Sequence, residues 1–289
     1  MKLAMTGATG FTGWATLPLL LERGHSVRCL VRRPALAGAI RAAGAEVVLG
    51  DLGDDHALAE TFRDRTALVN VASLGFGHAD RLIRAAEEAG IARAIFISTT
   101  AIFTRLNAPS RAVRIAAEEA IRGSGLRWTI LRPTMIYGSD RDRNICRLIG
   151  FLEYSPVLPV FGPGTAFMQP IFVDDLALAI VSALNAAASE RQCYNLAGAA
   201  PLNYNELARS VAGLMKRRVR LWHLPAAPVM YLLRILEGLK LSFPLKAEQV
   251  ARLQEDKAFS WDEAARDFGF SPRTFKEGVR IEIARMGLM

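Results

Sequence analysis

Near its start the chain reads Thr6-Gly7-Ala8-Thr9-Gly10-Phe11-Thr12-Gly13, with three glycines at i, i+3 and i+6. A short apolar strand precedes the loop and an apolar helical pattern follows it. Glycines so placed suit a dinucleotide. Gly7 allows the tight turn, Gly10 lets backbone approach a pyrophosphate, and Gly13 lets the helix pack on the strand. The helix N–H groups, with Thr9, Phe11 and Thr12 around them, then meet the anion. The competing reading is a glycine-rich turn with no ligand.

The second strand ends Leu30-Val31-Arg32-Arg33-Pro34, with no carboxylate. An Asp or Glu about 20 residues past the glycines would bind the ribose 2′-hydroxyl of NAD. Two guanidiniums there instead suit a 2′-phosphate through charge-assisted, bidentate hydrogen bonds. NADP (NADPH) is therefore the expected cofactor, against the plainer reading of two surface arginines. After the third strand, Asp51 is placed to accept from the adenine amino group and Leu52 to read the ring; Asp51 is alternatively a helix N-cap. The small Asn70-Val71-Ala72-Ser73 turn would place Val71 and Ala72 along the adenosine ribose.

The elements that must position these residues follow from periodicity. Short apolar runs at 2–6, 26–31, 45–49, 67–71, 93–98 and 127–131 alternate with amphipathic stretches at 11–23, 34–43, 54–63, 78–90, 111–123 and 141–151. That rhythm predicts an α/β fold, a doubly wound parallel sheet with helices on both faces. Pro156, Pro159, Pro163 and Pro170 predict loops. A strand and helix follow over 171–185, then a strand at 192–196. Helices are expected at 203–216, 226–240, 246–256 and 272–286. Residues 224–245 are rich in Leu, Met, Tyr and Phe. They read as a packed helix, a lipophilic pocket wall or a shallow membrane contact.

The 289 residues carry a net charge of +8, nearly all of it from arginine; no lysine lies between Lys2 and Lys216. The arginines are dispersed rather than interleaved with aromatics, which argues against nucleic acid. Cys29, Cys146 and Cys193, and the four histidines, show no metal spacing. With no signal peptide or membrane-length apolar run in view, a cytoplasmic protein is expected.

Five ordered motifs carry a resemblance: the glycine loop, Gly-Asp-Leu at 50–52, Ser98-Thr99-Thr100, Leu-Arg-Pro-Thr-Met-Ile-Tyr-Gly at 131–138, and Val-Asp-Asp-Leu-Ala at 173–177. Together they resemble extended or atypical short-chain dehydrogenase/reductases of the NAD-dependent epimerase/dehydratase group. The resemblance implies a Rossmann core of about seven strands, over 1–137 plus 168–198. It also implies a smaller, mainly helical substrate-binding region over 138–167 plus 199–289. It places Ser98 and Thr99, and the Pro133-to-Tyr137 segment with Met135, beside the cofactor. A monomer or homodimer acting on a small molecule is expected.

The family's catalytic set is a Ser or Thr after strand five and a Tyr-x-x-x-Lys pair on the next helix. The resemblance puts Thr100 at the first position, but Ser110 where Tyr is expected and Arg114 where Lys is expected. No other register restores the pair. Arg114 still suits the ribose hydroxyls, whereas a serine hydroxyl is a poor acid. Tyr137 or His78 would have to supply the proton, or the acceptor needs none because hydride transfer leaves a stable anion. The expected activity is NADPH-dependent reduction of a small apolar or aromatic activated acceptor. Candidate pocket walls are Phe151, Phe161, Phe167, Met168, Trp222 and Met230. The alternatives are a non-catalytic NADP-binding sensor or assembly protein, or a sugar-nucleotide epimerase or dehydratase, the last disfavoured by the missing tyrosine.

Overall fold

The computed structural model describes residues 1–106, 109–239 and 246–288. In chain order it forms β1 (Lys2–Thr6), α1 (Phe11–Glu22), β2 (Ser26–Val31), α2 (Ala37–Ala42), β3 (Glu46–Leu49), α3 (Asp55–Phe62), β4 (Ala67–Asn70), α4 (Ala79–Glu88), β5 (Arg93–Ile97), α5 (Pro109–Gly123) and β6 (Arg127–Pro133). Then come β7 (Ile136–Tyr137), α6 (Ile145–Tyr154), β8 (Val157–Phe161), β9 (Phe167–Met168), β10 (Ile171–Phe172), α7 (Val173–Asn185) and β11 (Gln192–Leu196). The C-terminal part comprises β12 (Leu202–Asn203), α8 (Tyr204–Leu214), β13 (Arg220–Leu224), α9 (Ala226–Gly238), α10 (Ala247–Arg252), α11 (Asp262–Phe268) and α12 (Phe275–Arg285). The last residue of the helix expected at 226–240, and the stretch to 245, lie outside the described residues.

Seven strands pair in the order β11-β6-β5-β4-β1-β2-β3, every pair parallel. Strand alternation divides the core. Leu3, Met5, Val27, Val69, Ile95 and Leu131 face α1 and α7. Ala4, Leu30, Leu68, Phe96 and Ile130 face α3, α4 and α5. This is the expected Rossmann-like doubly wound sheet, and it buries near-continuous apolar strands on both faces. The strand order reverses between β1 and β4, so the crevice at their carboxyl ends is the place to look for a ligand.

A third core joins α6, α8 and α12 through Leu148, Ile149, Leu207, Val211, Phe275 and Val279. One expectation fails nearby. Residues 157–161, read as a proline-broken loop, form β8, paired in parallel with β13 so that Pro159 lies opposite Trp222. Proline is tolerated because this is a two-stranded edge pairing outside the main sheet.

Several arginines are internal rather than solvated. Arg93 is buried at the amino end of β5, where its guanidinium donates to Thr129 Oγ1, Ser189 Oγ and the Ala183 carbonyl at 2.7–2.8 Å. It clasps β5, β6 and the end of α7, so part of the positive charge is structural. Among the described residues no helix is long and apolar enough to cross a membrane.

Candidate cofactor and active site

The glycine loop sits at the sheet's switch point. Gly7 has φ +76°, and a Cβ there would lie 2.5 Å from the Ala72 backbone nitrogen. The turn after β4 therefore crosses directly over the turn after β1. Buried Asn70 holds the crossing: its Oδ1 accepts from Thr6 Oγ1 at 2.6 Å and its Nδ2 donates to the Ala72 carbonyl. A Cβ on Gly13 would lie 2.1 Å from the Gly7 carbonyl oxygen and 2.8 Å from Ala8 Cα. Gly13 thus packs α1 against the loop's own backbone, not against the strand as expected. Gly10 is the N-cap of α1, with no side-chain cap and no acidic residue in the first turn. The first-turn N–H groups around Phe11 and Thr12 have no side-chain acceptor from the cap, which suits an anion. The carbonyl of Thr9 accepts from Arg141, whose guanidinium lies 5.2 Å from the Trp14 ring centroid.

At the other end of the crevice, Arg32 and Arg33 are both exposed. Arg32 lies 3.8 Å from Asp51 in an exposed pairing that a ligand can displace. Asp51 accepts from the Gly53 N–H, and the N-cap of α3 is Asp54, so the capping alternative for Asp51 does not hold. His78 Cε1 lies 4.0 Å from where a Gly53 Cβ would be. It stands by the turn after β3, with Asp51, away from Met135 and the cavity-lining residues.

Behind β5 and β6 the sequence expectations divide. The Ser98 hydroxyl donates to Glu118 Oε1 at 2.6 Å, so it faces α5 and is not free for a cofactor. Glu118 is completely buried and also accepts from Arg132 and Arg122. Thr99 caps the short turn 100–103. Thr100 is buried, its hydroxyl 3.4 Å from the Pro133 carbonyl. On α5, Arg114 donates to Ser110 Oγ at 2.7 Å, and its guanidinium lies 3.2 Å from where a Gly75 Cβ would be. The two residues thus meet each other below the loop after β4. Leu52, Val71, Ala72 and Met135 are half-exposed.

Tyr137 is a correction. Its side chain is 1% exposed, packed edge-on against Phe172 with Phe275 and Gly278 beside it, and its hydroxyl lies 3.4 Å from the Phe275 carbonyl. Burial, followed by Asp175 and Glu282, pushes the phenol far above its ordinary value. It is a core residue enclosed by Phe172, Phe275 and Gly278 and does not line the cavity described below.

A cavity of about 320 Å³ opens between Met135, α6, β8 and α8, lined by Leu148, Phe151, Leu158, Met168 and Leu207, with Arg143 and Arg147 also on its wall. Of the expected wall residues only Phe151 and Met168 line it. Phe161 and Met230 pack in the small core between α9 and α10, while Phe167 and Trp222 face outward. The sequence reading missed the segment after α10. Leu253 lines the cavity, and Glu255 accepts from Thr104 Oγ1 and the Arg105 N–H. The Lys257 ammonium donates to the Arg252 carbonyl, and Arg252 lies close enough to Arg114 to press its ionisation down, after burial. Arg143 and Arg147 are the cations on the cavity wall, while Arg252 is paired with Glu248 at 2.6 Å.

On α12, Glu282 is fully buried beside the Asp142 carboxylate. Burial, then the adjacent Asp142 carboxylate, push its carboxyl up to about 10, with Arg285 opposing. The folded protein thus keeps a proton that the unfolded chain releases above its ordinary carboxylate range. Stability from this group is complete at low pH and is lost as pH rises toward 10. Glu282→Gln is expected to leave stability unchanged near pH 4 and to raise it by about 2–4 kcal/mol at pH 8. Urea unfolding at both pH values measures this, and a pH-independent difference contradicts the buried acid.

Comparison with known proteins agrees with this geometry. Residues 7–150 match the family model described as NAD(P)H-binding. This segment belongs to the NAD(P)H-binding family. It is 35% identical to a ceramide reductase of Caulobacter vibrioides over 62% of this chain and 60% of that protein. It is 32% identical to the mitochondrial NADH dehydrogenase [ubiquinone] 1 alpha subcomplex subunit 9 of Arabidopsis thaliana, over 63% of this chain and 46% of that one. The chain therefore spans less than two thirds of these relatives. The fold is shared with the triphenylmethane reductase of Citrobacter sp. solved with NADP(H), at TM-score 0.76 and 20% identity over 97% and 99% of the two chains. The residues fit such a cofactor: the uncapped start of α1 offers N–H groups to a pyrophosphate, and a Cβ at Gly7 or Gly13 would close the cradle.

Proposed function

We propose that this protein is an NADPH-dependent oxidoreductase that delivers hydride to a small apolar or aromatic activated acceptor, a carbonyl, quinone-like or imine carbon. The observation that carries the reading is the apolar cavity that begins at Met135, immediately beyond β6, toward the carboxyl end of the strands, where sheets of this kind bind ligands. We assign nucleotide contacts to the glycine loop, Arg32, Arg33, Asp51, Leu52, Val71, Ala72, Thr99, Pro133 and Met135. Substrate contacts fall to 138–167 plus 199–289. When bound, the nicotinamide supplies the hydride. Arg114, oriented by Ser110, holds the ribose, and Thr100 positions the acceptor. The Arg114 guanidinium stabilises charge developing on the acceptor as hydride arrives, and solvent water supplies the proton that completes the reduction. The likeness to a ceramide reductase supports a lipophilic acceptor.

A second reading is a non-catalytic NADP-binding subunit. It is favoured by the likeness to an NADH dehydrogenase subunit and by the hydrogen bond that ties Ser110 to Arg114. Titration and single-turnover oxidation of NADPH, with a panel of lipophilic ketones, quinones and imines, separate the two. We expect oxidation by one acceptor class. Arg32→Ala with Arg33→Ala should weaken NADPH by roughly ten- to a hundredfold and leave NADH nearly unchanged. Tight NADPH binding with no turnover overturns the enzyme reading, and equal affinity of the parent protein for both cofactors overturns the NADP assignment.

A further inference from the structure

Helix α9 is apolar on two faces. Ala226, Val229, Met230, Leu233 and Leu236 pack toward α10 and Phe161. At 100° per residue, Tyr231, Leu232, Ile235 and Leu239 fall in a second stripe about 100° wide. All four are exposed, Tyr231 at 70% and Leu239, just past the helix end, at 65%. A stripe of this size on a surface helix marks an interaction site. β13 leads into the helix and carries Trp222, 61% exposed. Lys216, Arg217 and Arg218 stand just before it and Arg220 opens it, all exposed. Along β13 and α9 the single carboxylate is Glu237, and it accepts from the Ala247 N–H.

We propose that α9 and β13 form a docking surface for an anionic membrane, lying in the interface rather than crossing it. The chemistry matches that partner on three counts. The leucine and isoleucine stripe supplies area to bury among acyl chains. Trp222 and Tyr231 have an apolar body and a polar tip, as suits the headgroup level. The cationic run faces lipid phosphates with almost no opposing acid. A second copy of the chain fits worse, because a two-fold contact through this face would bring two such cationic runs together. The α9 surface is one helix from the cavity, since α10 packs on α9 and Leu253 follows α10. The docking rests on the surface alone and does not depend on the proposed reaction.

Co-sedimentation of the full protein with phospholipid vesicles tests it. Vesicles in which about a third of the lipid is phosphatidylglycerol should bind the protein at least tenfold more tightly than phosphatidylcholine alone, and the difference should shrink in high salt. Leu232→Ser with Ile235→Ser should weaken that binding roughly tenfold while NADPH affinity is unchanged. Arg217→Glu with Arg218→Glu should do the same for anionic vesicles only. Failure to sediment with anionic vesicles overturns the proposal. So does vesicle binding that the serine pair leaves untouched. A dimer in sizing experiments that the serine pair dissociates, without vesicle binding, assigns the stripe to a second copy.

Discussion

Gly13→Ala is expected to abolish tight cofactor binding, weakening NADPH by a hundredfold or more. The new methyl carbon would sit 2.1 Å from the Gly7 carbonyl oxygen and 2.8 Å from Ala8 Cα. Both neighbours are backbone, so no rotamer change relieves the overlap. Gly7 cannot retreat, because the Ala72 backbone closes on it from the β4 side and Asn70 fixes that turn. Only α1 can move. Moving it carries its first-turn N–H groups away from the anion they would bind, and an error of about 1 Å costs on the order of a hundredfold at such a site. NADPH fluorescence titration measures the loss. Gly38→Ala in α2 is the control, since nothing lies within 4 Å of its added carbon. That change should be neutral or stabilising by about 0.5–1 kcal/mol. Binding by Gly13→Ala within threefold of the parent would contradict the crowding.

Glu118→Ala is expected to cost about 3–5 kcal/mol of stability. Glu118 is the buried hub behind β5 and β6. It accepts from Ser98 at 2.6 Å, from Arg132 through Nε and Nη2 at 3.0 and 2.5 Å, and from Arg122 at 3.2 Å. Removing it strands the Arg132 guanidinium, whose side chain is 13% exposed. Leaving one partner of a buried pair alone is the costly case; replacing both with apolar groups of similar volume often is not. Glu118→Leu with Arg132→Met should therefore recover most of the loss. Urea unfolding of the single and double variants provides the measurement, and a single-variant loss below about 1 kcal/mol would show that the network carries little.

The sheet was legible because its strands are short apolar runs buried on both faces, and 26–31 and 192–196 match the observed β2 and β11 residue for residue. The glycine loop was legible for a similar reason: its spacing encodes local backbone geometry. What failed depended on partners distant in the chain. β8 was read as loop because Pro159 looks like a breaker, and its pairing strand lies some sixty residues on. Tyr137 looked like a free phenol because Phe275 and Gly278, which enclose it, come from the last helix. Glu282 was readable and missed. It stands seven residues after Phe275 and three after Val279, on the apolar stripe of α12, where a carboxylate at helical spacing signals a buried acid.

The strand order has a consequence for how the chain is made. β6 acquires its outer neighbour, β11, only when residues 192–196 are available, and α1 is covered only when α7 is in place. During synthesis the first six strands leave the ribosome with an open edge on β6 and a bare apolar face beneath α1. The nascent chain must wait for about sixty more residues, through α6 and β8, before that edge is closed. Until then it is an unpaired parallel edge of the kind that invites misassociation. The nucleotide crevice is encoded almost entirely in the first half of the chain, yet the sheet that carries it is complete only once β11 pairs with β6.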